Sequence, residues 1–174
     1  VVLNVDSTLE TLSVDPERIK SAILEHTTRA AENYEYPNSF SLDIPFVSQY
    51  PELPTGCEIT ALTTVLNYLG YNVDKLTMAD YYLDKGKMGE VSPYKAFVGN
   101  PRDEDSCGAF APVLVNSATK YLKSQRSYMN VYNITGAEYN ELLDYVDDGH
   151  PVLVWETMYM KEPCLLYTSD AADE

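Results

Sequence analysis

The chain has 174 residues, 45% of them hydrophobic, with 12 Lys and Arg against 27 Asp and Glu and a net charge of −15. That is enough apolar material for one core in a domain of ~100–200 residues, and too little clustered Lys and Arg to hold a phosphate backbone, which excludes nucleic-acid binding. No apolar run approaches the ~18–20 residues of a membrane-spanning helix, and three cysteines without paired spacing do not read as a disulfide framework.

Residues 1–15 are polar and aperiodic and read as a linker. Asp15-Pro16-Glu17 starts a helix, an N-cap acid before Pro at the first helical position, with Ile19, Ile23 and Leu24 on one face. Leu42 to Gln49 is extended, and Tyr50 to Gly56, with two prolines and a glycine, is a loop. Cys57 opens the best-defined helix: Ile59, Leu62, Val65, Leu66 and Leu69 recur at helical spacing, and Gly70 stands where a glycine cap belongs. Thr77 is expected to cap a shorter helix through Met78-Ala79-Asp80. Residues 86–109 are irregular and rich in Gly, Pro and Asp, and so long a loop within a compact domain is usually functional or mobile.

Pro112 begins a helix that runs to Lys123, and Tyr128 to Tyr132 alternates like a strand. Thr135-Gly136-Ala137-Glu138 reads as a capping box for a helix that buries Leu142, Leu143 and Val146 and ends at Gly149. Pro151 to Trp155 is an apolar, β-branched run and reads as a buried strand. Helices followed by sheet favour α+β over a doubly wound fold.

Both ends read as unnatural. Val1 is not an initiator Met, which points to a fragment or a mature form without its leader. Residues 164–174 read as the translation of a transposase-library sequencing adapter, and segments of that kind are excluded from fold reasoning. The expected division is therefore an N-terminal linker and helix over 1–40, an incomplete domain over 41–163 and an artefactual tail over 164–174. Without the tail the charge falls from −15 to −12 and Cys164 drops out, leaving Cys57 and Cys107.

The chemistry gathers around Cys57. A thiol at a helix N-terminus has its thiolate stabilised by free backbone N–H groups and the helix dipole. Gly56 would leave room for a substrate to approach. Gln49, upstream, could donate its amide to a developing oxyanion beside the Cys57 N–H. The plainer alternative is that Cys57 is a small buried hydrophobe and Gln49 a surface amide.

Three segments carry a resemblance: Ile44-Pro45-Phe46-Val47-Ser48-Gln49, then Pro54-Thr55-Gly56-Cys57-Glu58-Ile59-Thr60-Ala61-Leu62, then Val65-Leu66-Asn67-Tyr68-Leu69-Gly70. Phe97 to Pro101, Gly108 to Pro112 and Gly149 to Met158 extend it. Together they resemble the papain-like cysteine peptidases of the bacteriocin-processing-peptidase-like (peptidase family C thirty-nine-like) group. The resemblance implies a papain-like α+β fold, with the Cys57 helix packed on an antiparallel sheet whose last strands are missing. It implies Cys57 as nucleophile, Gln49 as oxyanion donor, no cofactor and a peptide or protein substrate.

The group's general base is a His on the strand after the Val-rich run, oriented by an Asp or Asn, and this sequence has neither position. The chain is therefore expected to be catalytically inert although its parent is an enzyme. Val152 and Val154 would present an unpaired, aggregation-prone edge. A papain-fold acyltransferase or amidase, or a catalytically dead module that binds peptide or cell-wall polymer, are the competing functions. Location outside a bacterium or on its surface, with cell-wall association as one option, follows from the resemblance and the scarcity of cysteine.

Other residues read more plainly. His150, after Asp147-Asp148, is a surface histidine, and His26 lies on the N-terminal helix surface. Two histidines and no Cys-x-x-Cys leave a metal site without ligands, and Asp103-Glu104-Asp105 lacks the pattern of a calcium loop. Cys107 is a spare thiol. Tyr81, Tyr82, Tyr94, Tyr121, Tyr128, Tyr132 and Tyr139 read as half-buried packing residues, and Trp155 as core or cleft wall.

Overall fold

A computed structural model describes residues 2–4 and 41–156. The predicted helix over 15–33, His26 and the tail from residue 164 lie outside them. The elements are β1 (Val2–Asn4), α1 (Cys57–Tyr68), α2 (Lys75–Thr77) continued by a π-helical turn (Met78–Tyr82), β2 (Lys85–Gly86), β3 (Phe97–Val98), α3 (Ala111–Ser124), β4 (Asn130–Tyr132) and α4 (Tyr139–Asp147). The domain mixes helix and sheet.

Its centre is helical. Ile59, Leu62, Val65 and Leu66, the periodic positions of α1, are buried with Leu114 and Leu122 of α3. The turn at 75–82 packs against both helices, and Met78 and Ala79 complete the core. Tyr121 of α3 receives Tyr71 and Tyr82 edge-on, at centroid distances of 5.7 and 5.2 Å, the arrangement that ring quadrupoles favour. The other tyrosines singled out above are exposed, since their positions face away from this seam.

Sheet is sparse. β1 pairs antiparallel with β4, Leu3 opposite Val131, so part of the segment read as a linker is a strand. β2 pairs parallel with β3, and Val98 bridges Gly108. Among the described residues α1 packs mainly on α2, the π-helical turn and α3. Strands of two or three residues offer too little apolar face to cover a helix. Pro151 to Glu156 is extended, with a single bridge residue at Val152 in place of the expected buried strand.

Caps also depart from expectation. Asp74, not Thr77, opens the 75–82 segment, because its carboxylate accepts from Leu76 and Thr77 N–H. The capping box lies three residues later than predicted: Glu138 is the N-cap and Glu141 closes the box. Asn133 Oδ1 has already taken the Thr135 N–H and hydroxyl at 3.1 and 2.6 Å, which turns the chain before the helix starts. Leu142, Leu143 and Val146 are half-buried rather than buried. Gly70, at φ +89°, ends α1 as predicted, with the Tyr71 N–H reaching the Leu66 carbonyl and its own N–H reaching Asn67.

Thr60 and Thr63 are both buried in α1, but they differ. The Thr63 hydroxyl donates to the Ile59 carbonyl at 2.7 Å, whereas Thr60 Oγ1 is buried without a hydrogen-bond partner among the described residues. Removing a buried unsatisfied hydroxyl relieves a desolvation cost of ~1–3 kcal/mol. Thr60→Val is therefore expected to raise stability by about 1 kcal/mol and Thr63→Val to bring no gain, as measured by thermal denaturation of the two variants.

Candidate active site

Cys57 is the first residue of α1, with Gly56 as N-cap and no side chain capping the helix. The thiol is free and exposed. Gly56 serves packing rather than substrate approach: a Cβ there would come within 2.9 Å of Leu53 Cβ and 3.1 Å of Pro101 Cβ. The loop before the cysteine is thus pressed onto the 99–103 segment. Thr55 fastens the two, its N–H on the Pro101 carbonyl at 3.3 Å and its hydroxyl on the Asp103 carbonyl at 2.8 Å.

Gln49 stands at the other end of that loop, half-buried. Its Nε2 donates to the Pro54 carbonyl at 2.6 Å, so one of the two amide hydrogens is engaged inside the loop. The loop is held from below by Lys75, whose buried ammonium donates to the Ser48 and Gln49 carbonyls at 2.5 and 3.1 Å and pairs with Glu52 at 2.7 Å. That pairing draws the Glu52 carboxyl below its ordinary range. Sequence reasoning missed Lys75, because a lysine in a polar turn gives no sign of burial.

Glu58 is the second residue missed, although it sits inside the most specific segment. Its Oε2 accepts from Cys57 Sγ at 3.2 Å and its Oε1 accepts from the Ala109 N–H at 2.9 Å. Gly108, at φ +96°, makes room for this: a Cβ would lie 2.2 Å from Glu58 Oε1. The consequence for the thiol is opposite to that expected from the helix dipole. Burial around the sulfur, then the Glu58 charge and its hydrogen bond, push the Cys57 pKa up from 9.0 to about 11. The residue as a whole stays exposed, and its thiol is protonated at neutral pH.

The remaining candidates fall elsewhere. His150 is half-buried rather than on the surface, because it follows the end of α4, where its N–H donates to the Tyr145 carbonyl at 2.8 Å. Cys107 is exposed, and its N–H donates to the Val98 carbonyl at 2.9 Å. Trp155 is not core: it is 38% exposed and donates its indole N–H to the Ala109 carbonyl at 3.0 Å. Among the described residues, no group of three His, Cys, Asp or Glu is placed to hold a metal ion, and no helix is long and apolar enough to cross a membrane.

Comparison with known proteins gives three likenesses. The model of the Peptidase_C39 like family matches residues 41–170. YvpB of Bacillus subtilis strain 168, a protein of uncharacterised function, is 28% identical over 150 residues, covering 80% of this chain and 57% of YvpB. The crystal structure of a candidate C39-like peptidase from Bacillus anthracis superposes with a TM-score of 0.51 at 32% identity, over 62% of this chain and 54% of that one. The chain thus spans a little over half the length of each relative.

Replacing Glu58 by Gln removes the charge beside the sulfur while leaving an oxygen to accept from Ala109. The pH at which Cys57 becomes half-reactive toward iodoacetamide, followed in a Cys107→Ser background, is expected to fall by about one unit. An unchanged profile means that the carboxylate does not govern the thiol.

Proposed function

The chain belongs to the Peptidase_C39 like family, and on that premise we propose that it is a cysteine peptidase domain that attacks peptide carbonyls through Cys57. The papain-like arrangement, with an antiparallel sheet across a cleft from α1, is part of this proposal, as are the substrates of the whole protein. The observation that carries it is an exposed cysteine that opens a buried helix, entered from a loop that Gln49 closes onto Pro54 and Lys75 holds by the Ser48 carbonyl.

In the reaction, Sγ gives its proton to a base and bonds to the carbonyl carbon. The oxyanion so formed accepts from the Cys57 N–H and from the Gln49 amide hydrogen that Pro54 leaves over. The amine then departs with a proton, and water hydrolyses the thioester. A thiol held near pKa 11 depends on that base. The sequence has two histidines, His26 and His150, and none after Trp155, where the family resemblance puts the base. We therefore take this 174-residue chain to be inert by itself.

Imidazole supplied from solution tests this reading. In a Cys107→Ser background, hydrolysis of a peptide thioester is expected to need added imidazole, to vanish with Cys57→Ala, and to fall about 10²-fold with Gln49→Ala, the usual worth of one oxyanion donor. An imidazole-dependent rate that survives Cys57→Ala overturns the nucleophile. Turnover without imidazole that Cys57→Ala abolishes overturns the inertness.

The bracing of the loop has its own test. Lys75→Met leaves two carbonyls of the loop without their donor, and is expected to lower the midpoint of chemical denaturation. It should also lower the imidazole-dependent rate at saturating thioester, because Gln49 is no longer held.

A further inference from the structure

Three aromatic side chains from separate stretches of chain converge on residues 109 and 110. Tyr94 and Phe110 pack ring to ring at 4.7 Å, and the Phe110 N–H donates to the Pro93 carbonyl at 2.8 Å, which fixes the Tyr94 turn beside it. Trp155 reaches the same place from the far end of the domain and bonds the Ala109 carbonyl. All three keep large exposed surfaces, 61% for Tyr94, 42% for Phe110 and 38% for Trp155. Ala109 in turn bonds Glu58, and Glu58 bonds Cys57, so this aromatic surface is two hydrogen bonds from the sulfur.

We propose that Tyr94, Phe110 and Trp155 form a specificity shelf that takes an aromatic or branched apolar side chain of the peptide substrate, within one or two residues of the bond attacked. The proposal rests on Cys57 being the nucleophile. Proximity favours this occupant, since an extended peptide advances ~3.3 Å per residue and the shelf adjoins the turn that bears the thiol. Chemistry favours it too. The indole N–H is already spent on Ala109, so what Trp155, Phe110 and Tyr94 expose is ring surface, which suits an apolar side chain better than a charged one. The Phe110 N–H on Pro93 and the Trp155 indole N–H on Ala109 tie these side chains to the backbone while each residue stays partly exposed, as a preformed apolar subsite requires.

Trp155 is the single tryptophan of the sequence, so its emission reports on the shelf directly. The Cys57→Ala chain is titrated with capped tetra-alanine peptides carrying one Phe at each position in turn, with all-alanine and Lys-substituted peptides for comparison. One Phe position is expected to shift Trp155 emission saturably and to bind at least tenfold more tightly than alanine, an advantage that Phe110→Ala and Tyr94→Ala each remove while circular dichroism stays unchanged. Equal binding of Phe and Ala peptides, unmoved emission, or tighter binding of the Lys peptide overturns the shelf. The readout involves no turnover. If Phe selectivity is found while the imidazole-dependent thioesterase rate survives Cys57→Ala, the nucleophile reading falls and the aromatic site stands as a peptide-binding one; selectivity absent with that rate intact removes the shelf alone.

Discussion

Everything near the thiol depends on one carboxylate with two partners. Glu58 accepts from the cysteine beside it and from the Ala109 N–H some fifty positions along the chain. Through the first it adds to burial in raising the thiol's pKa, and through the second it ties the 107–110 segment, with its aromatic neighbour, to the first turn of α1. An acid in the first turn is favoured by the helix dipole, so helix stability and thiol activation pull in opposite directions at this residue. The structure resolves that conflict for stability and leaves activation to a base.

A second charge performs the matching task on the other side of the loop. The buried Lys75 ammonium gathers two carbonyls and the Glu52 carboxylate, and thereby holds the stretch that carries Gln49. A buried ammonium is costly unless its hydrogens are met, so the loop cannot readily unwind around it. In a chain with 12 basic against 27 acidic residues, spending one lysine inside the structure marks that loop as a place where position matters.

What was legible in the sequence was whatever repeats with a period. Ile59, Leu62, Val65 and Leu66 announced α1 and its buried face, and Gly70 announced its end. Cys57 was placed at the helix start by the loop before it. What was not legible was which of two neighbouring candidates wins a backbone N–H, and which contacts come from far along the chain. Asn133 pre-empts Thr135 and so delays the capping box, and Asp74 outcompetes Thr77, although both rivals stand within three residues; Gly56 is small because Leu53 and the distant Pro101 lie beside it. Trp155 sat in an apolar run that resembles core, and only its bond to Ala109 shows it turned outward. Glu58 and Lys75 act through bonds across the fold, which no local pattern records.

The long irregular stretch between β2 and α3 is fastened on both sides of Cys57, by Thr55 to the Pro101 and Asp103 carbonyls and by Ala109 to Glu58. Its conformational entropy is therefore surrendered when the chain folds, not when a ligand arrives. If Cys57 takes a peptide, as proposed, that peptide meets a wall that is already built, and its binding free energy is not drained by ordering one. On that reading recognition follows the logic of a rigid mould, in which a poorly shaped ligand is refused because the wall has no cheap way to rearrange around it.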